Sequence, residues 1–191
     1  YSFYEPLAQN DKKAIQALTT FYKKVYNTIA IVVALIGVSL IPFLNKIINL
    51  EQNVPHLTLY YVLALADTIG SYLFAYKISV MTADQKEYIQ VRISMVFNVV
   101  KVLLQIVLLI WLKSYGIYLV LSLIATVGSN IVASIKAEKE YPYIKEKRGL
   151  EKEKKRDIFD TIRSVFLYKI SNVILTGTDN TLISALVGTV Y

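Results

Sequence analysis

Long apolar stretches that carry no charge, or a single one, dominate this chain. Residues 25–45 and 114–135 contain no acidic or basic residue, 57–76 contains only Asp67, and 93–112 contains only Lys101. About 20 mostly apolar residues are enough for a helix to cross the ~30 Å hydrocarbon core of a bilayer, whereas core helices of soluble proteins seldom stay uncharged for so long. We therefore expect an all-α, multi-pass transmembrane bundle.

A fifth apolar segment, 164–191, closes the sequence and is interrupted only by Lys169 and Asp179. We expect about five spans, four of them within residues 1–135 and the fifth within 161–191. Between these groups, residues 136–160 are strongly basic and are expected to form a cytoplasmic linker that is partly helical along the membrane surface. The chain starts without Met and ends in an apolar run, so we expect an internal fragment.

The lysines and arginines indicate the orientation. If the spans alternate, 17 of the 21 basic residues fall on one side and only two on the other. Cytoplasmic loops carry the excess of Lys and Arg, so the N-terminus is expected to be cytoplasmic. The net charge of +7 then belongs to that face and requires no nucleic-acid partner. Tyrosines lie near the expected span ends, as in an aromatic belt.

Polar residues recur at helical spacing inside four of the spans. They are Ser94, Asn98, Lys101 and Gln105 in the third; Lys169, Asn172, Thr176 and Asp179 in the fifth; Tyr60, Asp67 and Ser71, together with the apolar Ala64, in the second; and a milder stripe of Ser122, Thr126 and Ser129 in the fourth. Residues spaced by three and four share one helical face. A charge near mid-bilayer costs about 2.5–3.5 kcal/mol, so such a face normally turns towards a cavity or a bundle interior. A purely structural ion pair between Asp67 and Lys101 is the alternative.

These residues suggest roles in transport. Lys101, Lys169 and Arg92 would attract an anion such as a diphosphate, since cationic side chains bind phosphate oxygens strongly. Asp67 or Asp179 would bind a coupling cation. The remaining cavity candidates are the amides Asn98, Gln105 and Asn172. No catalytic motif and no cysteine is present, so we expect neither an enzyme nor a cofactor.

Five segments carry a family resemblance: YEPLAQND at 4–11, FYKKVY at 21–26, YKISVMTADQKEYI at 76–89, EKEYPYIKEK at 138–147 and TGTDNTLIS at 176–184. In this order they resemble the polysaccharide biosynthesis flippases, which translocate O-antigen and capsule repeat units. These proteins belong to the multidrug/oligosaccharidyl-lipid/polysaccharide superfamily. The resemblance extends over the whole chain.

The resemblance implies a fold like that of the multidrug and toxin exporters, with two six-helix lobes joined by the basic linker. It also implies a function at the bacterial cytoplasmic membrane, which is to carry undecaprenyl-diphosphate-linked oligosaccharides to the outer leaflet. H⁺ or Na⁺ would be the coupling ion. Membrane lipids would surround the protein, and the resemblance leaves room for contact with glycosyltransferases or a polymerase.

Three other readings remain open. A multidrug exporter of the same fold would favour acidic cavity residues, whereas here Lys101 and Lys169 balance Asp67 and Asp179. A membrane glycan polymerase or ligase would need catalytic residues in a large outer loop, and the expected outer loops are short. A passive membrane scaffold would not need polar stripes within its spans.

Overall fold

The computed structural model describes residues 2–44 and 55–165, together with 167, 168 and 171. The chain divides into two compact units, Tyr1–Gly149 and Leu150–Tyr191. The division lies within the predicted linker, 136–160. Of the sites predicted in the second unit, Lys169, Asn172 and Asp179 lie outside the described residues, as does most of the predicted fifth span.

The first unit consists of helices in the part of the chain that the structure describes. We label them α1 (Tyr4–Ala8), α2 (Lys12–Leu40), α3 (Leu57–Tyr72), α4 (Ala75–Ala83), α5 (Glu87–Leu112) and α6 (Tyr115–Glu140). Short 3₁₀ turns, Ile41–Phe43 and Pro142–Lys145, follow α2 and α6. In the second unit, residues 152–165 form a further helix, α7.

Helix α2 has two halves of different character. It begins at Asp11, whose carboxylate accepts a hydrogen bond from the backbone N–H of Ala14 at 3.0 Å and so caps the helix. Residues 15–21 are buried on nearly every side, and Ile15 is only 1% exposed. Beyond Ala30 the helix is apolar yet mostly exposed, so only its first half belongs to the packed core.

The helices alternate in direction. Helix α2 runs antiparallel to α3, because Tyr61 donates a hydrogen bond to the Gly37 carbonyl while Tyr26 meets Ser79 further along. Helix α5 returns antiparallel into α6 through a turn at Lys113, where φ is 47°. The pair α3 and α4 runs parallel to α6, because Gly70 faces Val127 and Lys77 donates to Ser134, each pair being 57 residues apart in sequence.

Close helix approaches occur at three glycines, one for each major pair of helices. A Cβ added at Gly37 of α2 would collide with Leu65 of α3. A Cβ at Gly70 would lie 2.9 Å from Val127 of α6, and one at Gly128 would lie 2.7 Å from the ring of Phe97 in α5. Small residues at helix crossings are typical of membrane bundles, in which backbones approach closely.

The predicted span 57–76 is not one continuous helix. Helix α3 ends at Tyr72, and α4 departs from it at 46°. Leu73 has φ −64° and ψ 135°, and Phe74 has φ 68° and ψ −9°. This is type II turn geometry, whose second central residue requires a positive φ and is usually glycine. The predicted span 57–76 therefore contains a break, and a phenylalanine occupies the turn.

Three helical segments are long and apolar enough to cross a membrane: Lys12–Phe43, Glu87–Leu112 and Tyr115–Glu140. The bent pair α3 and α4 makes a fourth if it counts as one span. Between 6% and 11% of the residues in the three apolar stretches are buried, so their apolar side chains point outward. The all-α prediction is confirmed. Three or four helices of membrane-spanning length lie within the described ranges, and most of the predicted fifth span lies outside them.

Candidate functional site

Lys101, in the third predicted span, and Arg92, just before that span, do not converge on one point. Lys101 is half-buried on α5, whereas Arg92 and Asn98 are exposed. The Arg92 guanidinium lies 5.3 Å from the ring centre of Tyr88 on its own helix. Asn98 lies in a mainly apolar groove along one face of α5, with neighbours such as Val99 and Val102.

Gln105 is used for helix packing. Its side chain is 6% exposed, and its Nε2 donates to the Tyr118 carbonyl at 2.9 Å and to Ser122 Oγ at 3.0 Å. These bonds join α5 to α6, where a buried amide would otherwise lack partners. The amide hydrogens that a cargo would contact are therefore engaged within the bundle.

Asp67 is the acidic residue of α3, and one of its oxygens is isolated. Its Oδ1 is buried and has no hydrogen-bond partner among the described residues. No ion pair joins Asp67 to Lys101 within the same part of the chain, so the purely structural pairing is not observed there. An unpaired buried acceptor costs about 1–3 kcal/mol, so Asp67 is held at this position at the expense of stability.

A polar cleft of about 430 Å³ lies beside the break between α3 and α4. Ser71 belongs to its lining and stands one helical turn after Asp67. Most other polar groups of the cleft are hydroxyls and amides: Tyr22, Tyr26, Ser79, Thr82, Gln90 and Asn130. Within the described residues the lining contains no charged side chain, so the cleft suits a neutral, hydrogen-bonding molecule.

Asn130 supports the break in the helix. Its Nδ2 lies 3.3 Å from the Gly70 carbonyl and 3.4 Å from the Ser71 carbonyl. Both carbonyls belong to the last turn of α3, where no intrahelical donor is available. Asn130 lies within the fourth predicted span, 114–135, but is not among the predicted cavity residues.

One end of the bundle is rich in charged residues, and we call it the charged end (residues 2–24, 75–88 and 134–148). An ionic network there joins the segments 75–88 and 134–148. Lys77 of α4 makes an ion pair with Glu138 of α6 at 2.5 Å and donates to Ser134 Oγ at 3.1 Å. Lys145 approaches the other Glu138 oxygen at 3.4 Å. The network therefore links the segments 76–89 and 138–147, both of which carried the family resemblance.

A second cluster lies at the start of α5. Tyr141 donates to Asp84 at 2.5 Å, while Lys86 pairs with Asp84 at 2.9 Å and with Glu140 at 2.8 Å. Burial opposes the charge on Asp84, but the hydrogen bonds from Tyr141 and Lys86 outweigh it, so the pKa of Asp84 lies below its usual value. Burial, followed by the bond to Asp84, raises the pKa of Tyr141. The Glu140 and Asp84 carboxylates raise the pKa of Lys86.

Replacing Tyr141 with phenylalanine is expected to lower the free energy of unfolding in a pH-dependent way. Folding lowers the pKa of Asp84, so the ionised carboxylate stabilises the folded state. This stabilisation is complete above the ordinary pKa of about 3.9 and is lost as the pH falls through the lowered pKa of the folded protein. The melting temperature of Y141F should therefore lie below that of wild type by a constant amount between about pH 5 and pH 8, and this difference should narrow below about pH 4.

Tyr143→Phe is the matched control for this comparison. It keeps the ring that faces the Lys12 ammonium at 5.9 Å and leaves the bond between Tyr141 and Asp84 intact. The difference in melting temperature between Y143F and wild type should stay constant as the pH falls from about 5 to below about 4. A Y141F gap that widens on acidification would contradict the assignment of Asp84 as the responsible group.

Comparison of the chain with protein-family models, with curated proteins and with solved structures finds no match. No group of three or more His, Cys, Asp or Glu suited to a metal occurs in the described ranges. The fold and site thus define a class only: an all-helical protein with three or four helices of membrane-spanning length, which is compatible with a membrane protein.

Proposed function

We propose that this chain forms part of a bacterial flippase that moves undecaprenyl-diphosphate-linked oligosaccharide repeat units across the cytoplasmic membrane. In this role it carries its cargo without chemical conversion, using a fold like that of the multidrug and toxin exporters. The proposal combines the family resemblance of the sequence with one structural observation, which is the unpartnered Asp67 oxygen close to a broken helix.

Asp67 and the break together have the character of an ion-coupling site. Ionisable residues in membrane spans are costly and normally mark ion or substrate pathways. Discontinuous helices are a recurrent feature of transporter binding sites, because the interrupted turn leaves backbone groups available. In the proposed mechanism, H⁺ or Na⁺ binds Asp67, neutralises its charge and so allows the surrounding helices to change their packing.

The cargo has two chemical parts, and the chain has candidates for both. The half-buried Lys101 provides a positive charge for the diphosphate, since ammonium groups bind phosphate oxygens strongly. The uncharged cleft beside the break presents hydroxyls and amides, which hydrogen-bond sugar hydroxyls in either direction. Lys169, Asn172 and Asp179 keep their predicted roles as part of the proposal.

The unpartnered oxygen of Asp67 also supports a second candidate function, which is that of a multidrug exporter. A cationic drug would pair with Asp67 directly, so the unpartnered oxygen favours that activity as well. The two functions differ in the role of Lys101, which would attract a diphosphate and repel a cationic drug.

The experiment uses the full-length protein, expressed in a strain from which its gene has been deleted. We expect Asp67→Asn and Lys101→Ala each to reduce transport by about tenfold or more, the scale of one lost charge-assisted contact, with lipid-linked oligosaccharide accumulating inside the cell. Lys113→Ala, at the turn between α5 and α6, is the control and should retain transport.

Either of two outcomes would contradict the proposal. Full transport by D67N at normal expression would reject the coupling role of Asp67. Drug extrusion that D67N abolishes, in cells that accumulate no lipid-linked sugar when the gene is absent, would establish the exporter instead.

A further inference from the structure

A second cleft, of about 480 Å³, opens at the charged end between α2, the start of α4 and the segment after α6. Its lining is rich in charge, with five lysines and two glutamates: Lys23, Lys24, Lys77, Lys145, Lys147, Glu138 and Glu146. Five positive and two negative charges leave an excess of three positive charges. The cleft plays no part in the transport mechanism proposed above.

Both carboxylates of this cleft are already engaged. Glu138 binds Lys77 and Lys145 at 2.5 Å and 3.4 Å. Glu146 accepts a hydrogen bond from Gln16 Nε2 at 2.9 Å. Among the described residues, no carboxylate lies within ion-pair distance of the other three cationic groups, which belong to Lys23, Lys24 and Lys147.

The cleft lies where the charged end meets the apolar surface. Lys23 and Lys24 immediately precede the uncharged stretch of α2, whose side chains such as Ile31 and Leu35 are 60% and 67% exposed. The Lys23 ammonium lies 5.6 Å from the ring centre of Tyr76. Lysine and tyrosine at the end of an apolar helix are typical of the headgroup layer of a bilayer.

We propose that this cleft binds the phosphate of an anionic phospholipid headgroup. Lys23, Lys24 and Lys147 supply the positive charge, and the Asn27 amide lies in the same lining as a hydrogen-bond donor. The acyl chains of the lipid lie along the exposed apolar half of α2. This assignment depends on the charge and position of the cleft and holds whatever cargo the protein carries.

The test measures thermal unfolding of the full-length protein in detergent, with added phosphatidylglycerol or phosphatidylcholine. Phosphatidylglycerol should raise the melting temperature saturably, and phosphatidylcholine should not. In the variant K23Q/K24Q/K147Q, the apparent affinity for phosphatidylglycerol should fall roughly 100-fold, since each lysine near an anionic lipid surface contributes about fivefold and the three factors multiply. The control K13Q/K136Q/K139Q removes three lysines outside the cleft and should bind like wild type.

Any of the following results would overturn the proposal. Equal stabilisation by phosphatidylcholine removes the requirement for charge, and equal losses in the two triple variants remove the assignment to the cleft. Inorganic phosphate that reproduces the full shift shows that no lipid is needed. If K23Q/K24Q/K147Q does not fold, the wild-type shift is measured against salt, and a shift that persists unchanged in about 0.5 M NaCl rejects the electrostatic site.

Discussion

Replacing Gly70 with alanine is expected to lower the free energy of unfolding by about 1–3 kcal/mol, the usual cost of overpacking a close contact. Gly70 is buried in the last turn of α3, and a Cβ there would lie 2.9 Å from Val127 Cγ2. Valine has one strongly preferred rotamer in a helix, so this methyl group cannot move aside without cost. The helices must separate, which also weakens the bonds from Asn130 to the end of α3.

A double-mutant cycle makes this prediction specific. Val127→Ala removes the methyl group that the new Cβ would meet, so G70A/V127A should be more stable than the sum of the two single changes predicts. Gly149→Ala is the control, because no atom lies within 4 Å of a Cβ at that position. Additive effects of G70A and V127A on the melting temperature would show that these helices do not meet at Gly70.

Reversing the charge of Lys77 is expected to have the second large effect on stability. The Lys77 and Glu138 side chains are 15% and 24% exposed, so their ion pair is partly buried. Breaking a fully buried pair costs about 3–5 kcal/mol and an exposed pair contributes about 0–1 kcal/mol, so we expect about 2 kcal/mol for Lys77→Glu. Two carboxylates would then face each other between α4 and α6.

The charge swap K77E/E138K should recover at least half of that loss, because it restores opposite charges across the same contact. Lys139→Glu is the matched control: it changes the net charge equally at an exposed residue next to Glu138. Thermal unfolding of the purified protein measures all three. A swap no more stable than K77E would mean that the contact between α4 and α6 contributes little to the fold.

The membrane-length helices could be predicted from the sequence because their signal is local. An uncharged apolar run marks a segment that can lie in lipid as a helix, with its backbone groups bonded to one another. Accordingly, α5 ends at the predicted Leu112, and α6 begins one residue after the predicted Ser114. Their inner ends could not be predicted this way. Helix α6 continues to Glu140, beyond the predicted limit of 135, because charged residues propagate a helix as readily as apolar ones.

The break after α3 could not be predicted, because its usual markers are missing. A type II turn is recognised from glycine or asparagine at its third position, and here that position is Phe74. A tertiary contact holds the turn instead, because Asn130 donates to the freed carbonyls of Gly70 and Ser71. Contacts between residues so far apart in sequence leave no local pattern.

At the candidate site, too, some features could be predicted from the sequence and others could not. Asp67 was predictable because a single charge in an apolar span is conspicuous, and the structure adds that one of its oxygens lacks a partner among the described residues. Gln105 shared a helical face with Lys101 in the sequence, yet its amide bonds to α6. Spacing shows which residues share a face, but only packing shows what that face meets.

The most direct test of the membrane-spanning arrangement measures which side of the membrane each end of α6 faces. The helix has 26 residues and is therefore about 39 Å long, enough to cross the ~30 Å hydrocarbon core. Because these 191 residues contain no cysteine, Lys113→Cys and Lys139→Cys introduce single labels in a full-length protein freed of any others. In intact cells, a membrane-impermeant maleimide should label position 113, and should label 139 only after permeabilisation. Equal labelling of both positions from one side would contradict a helix that crosses the membrane between them.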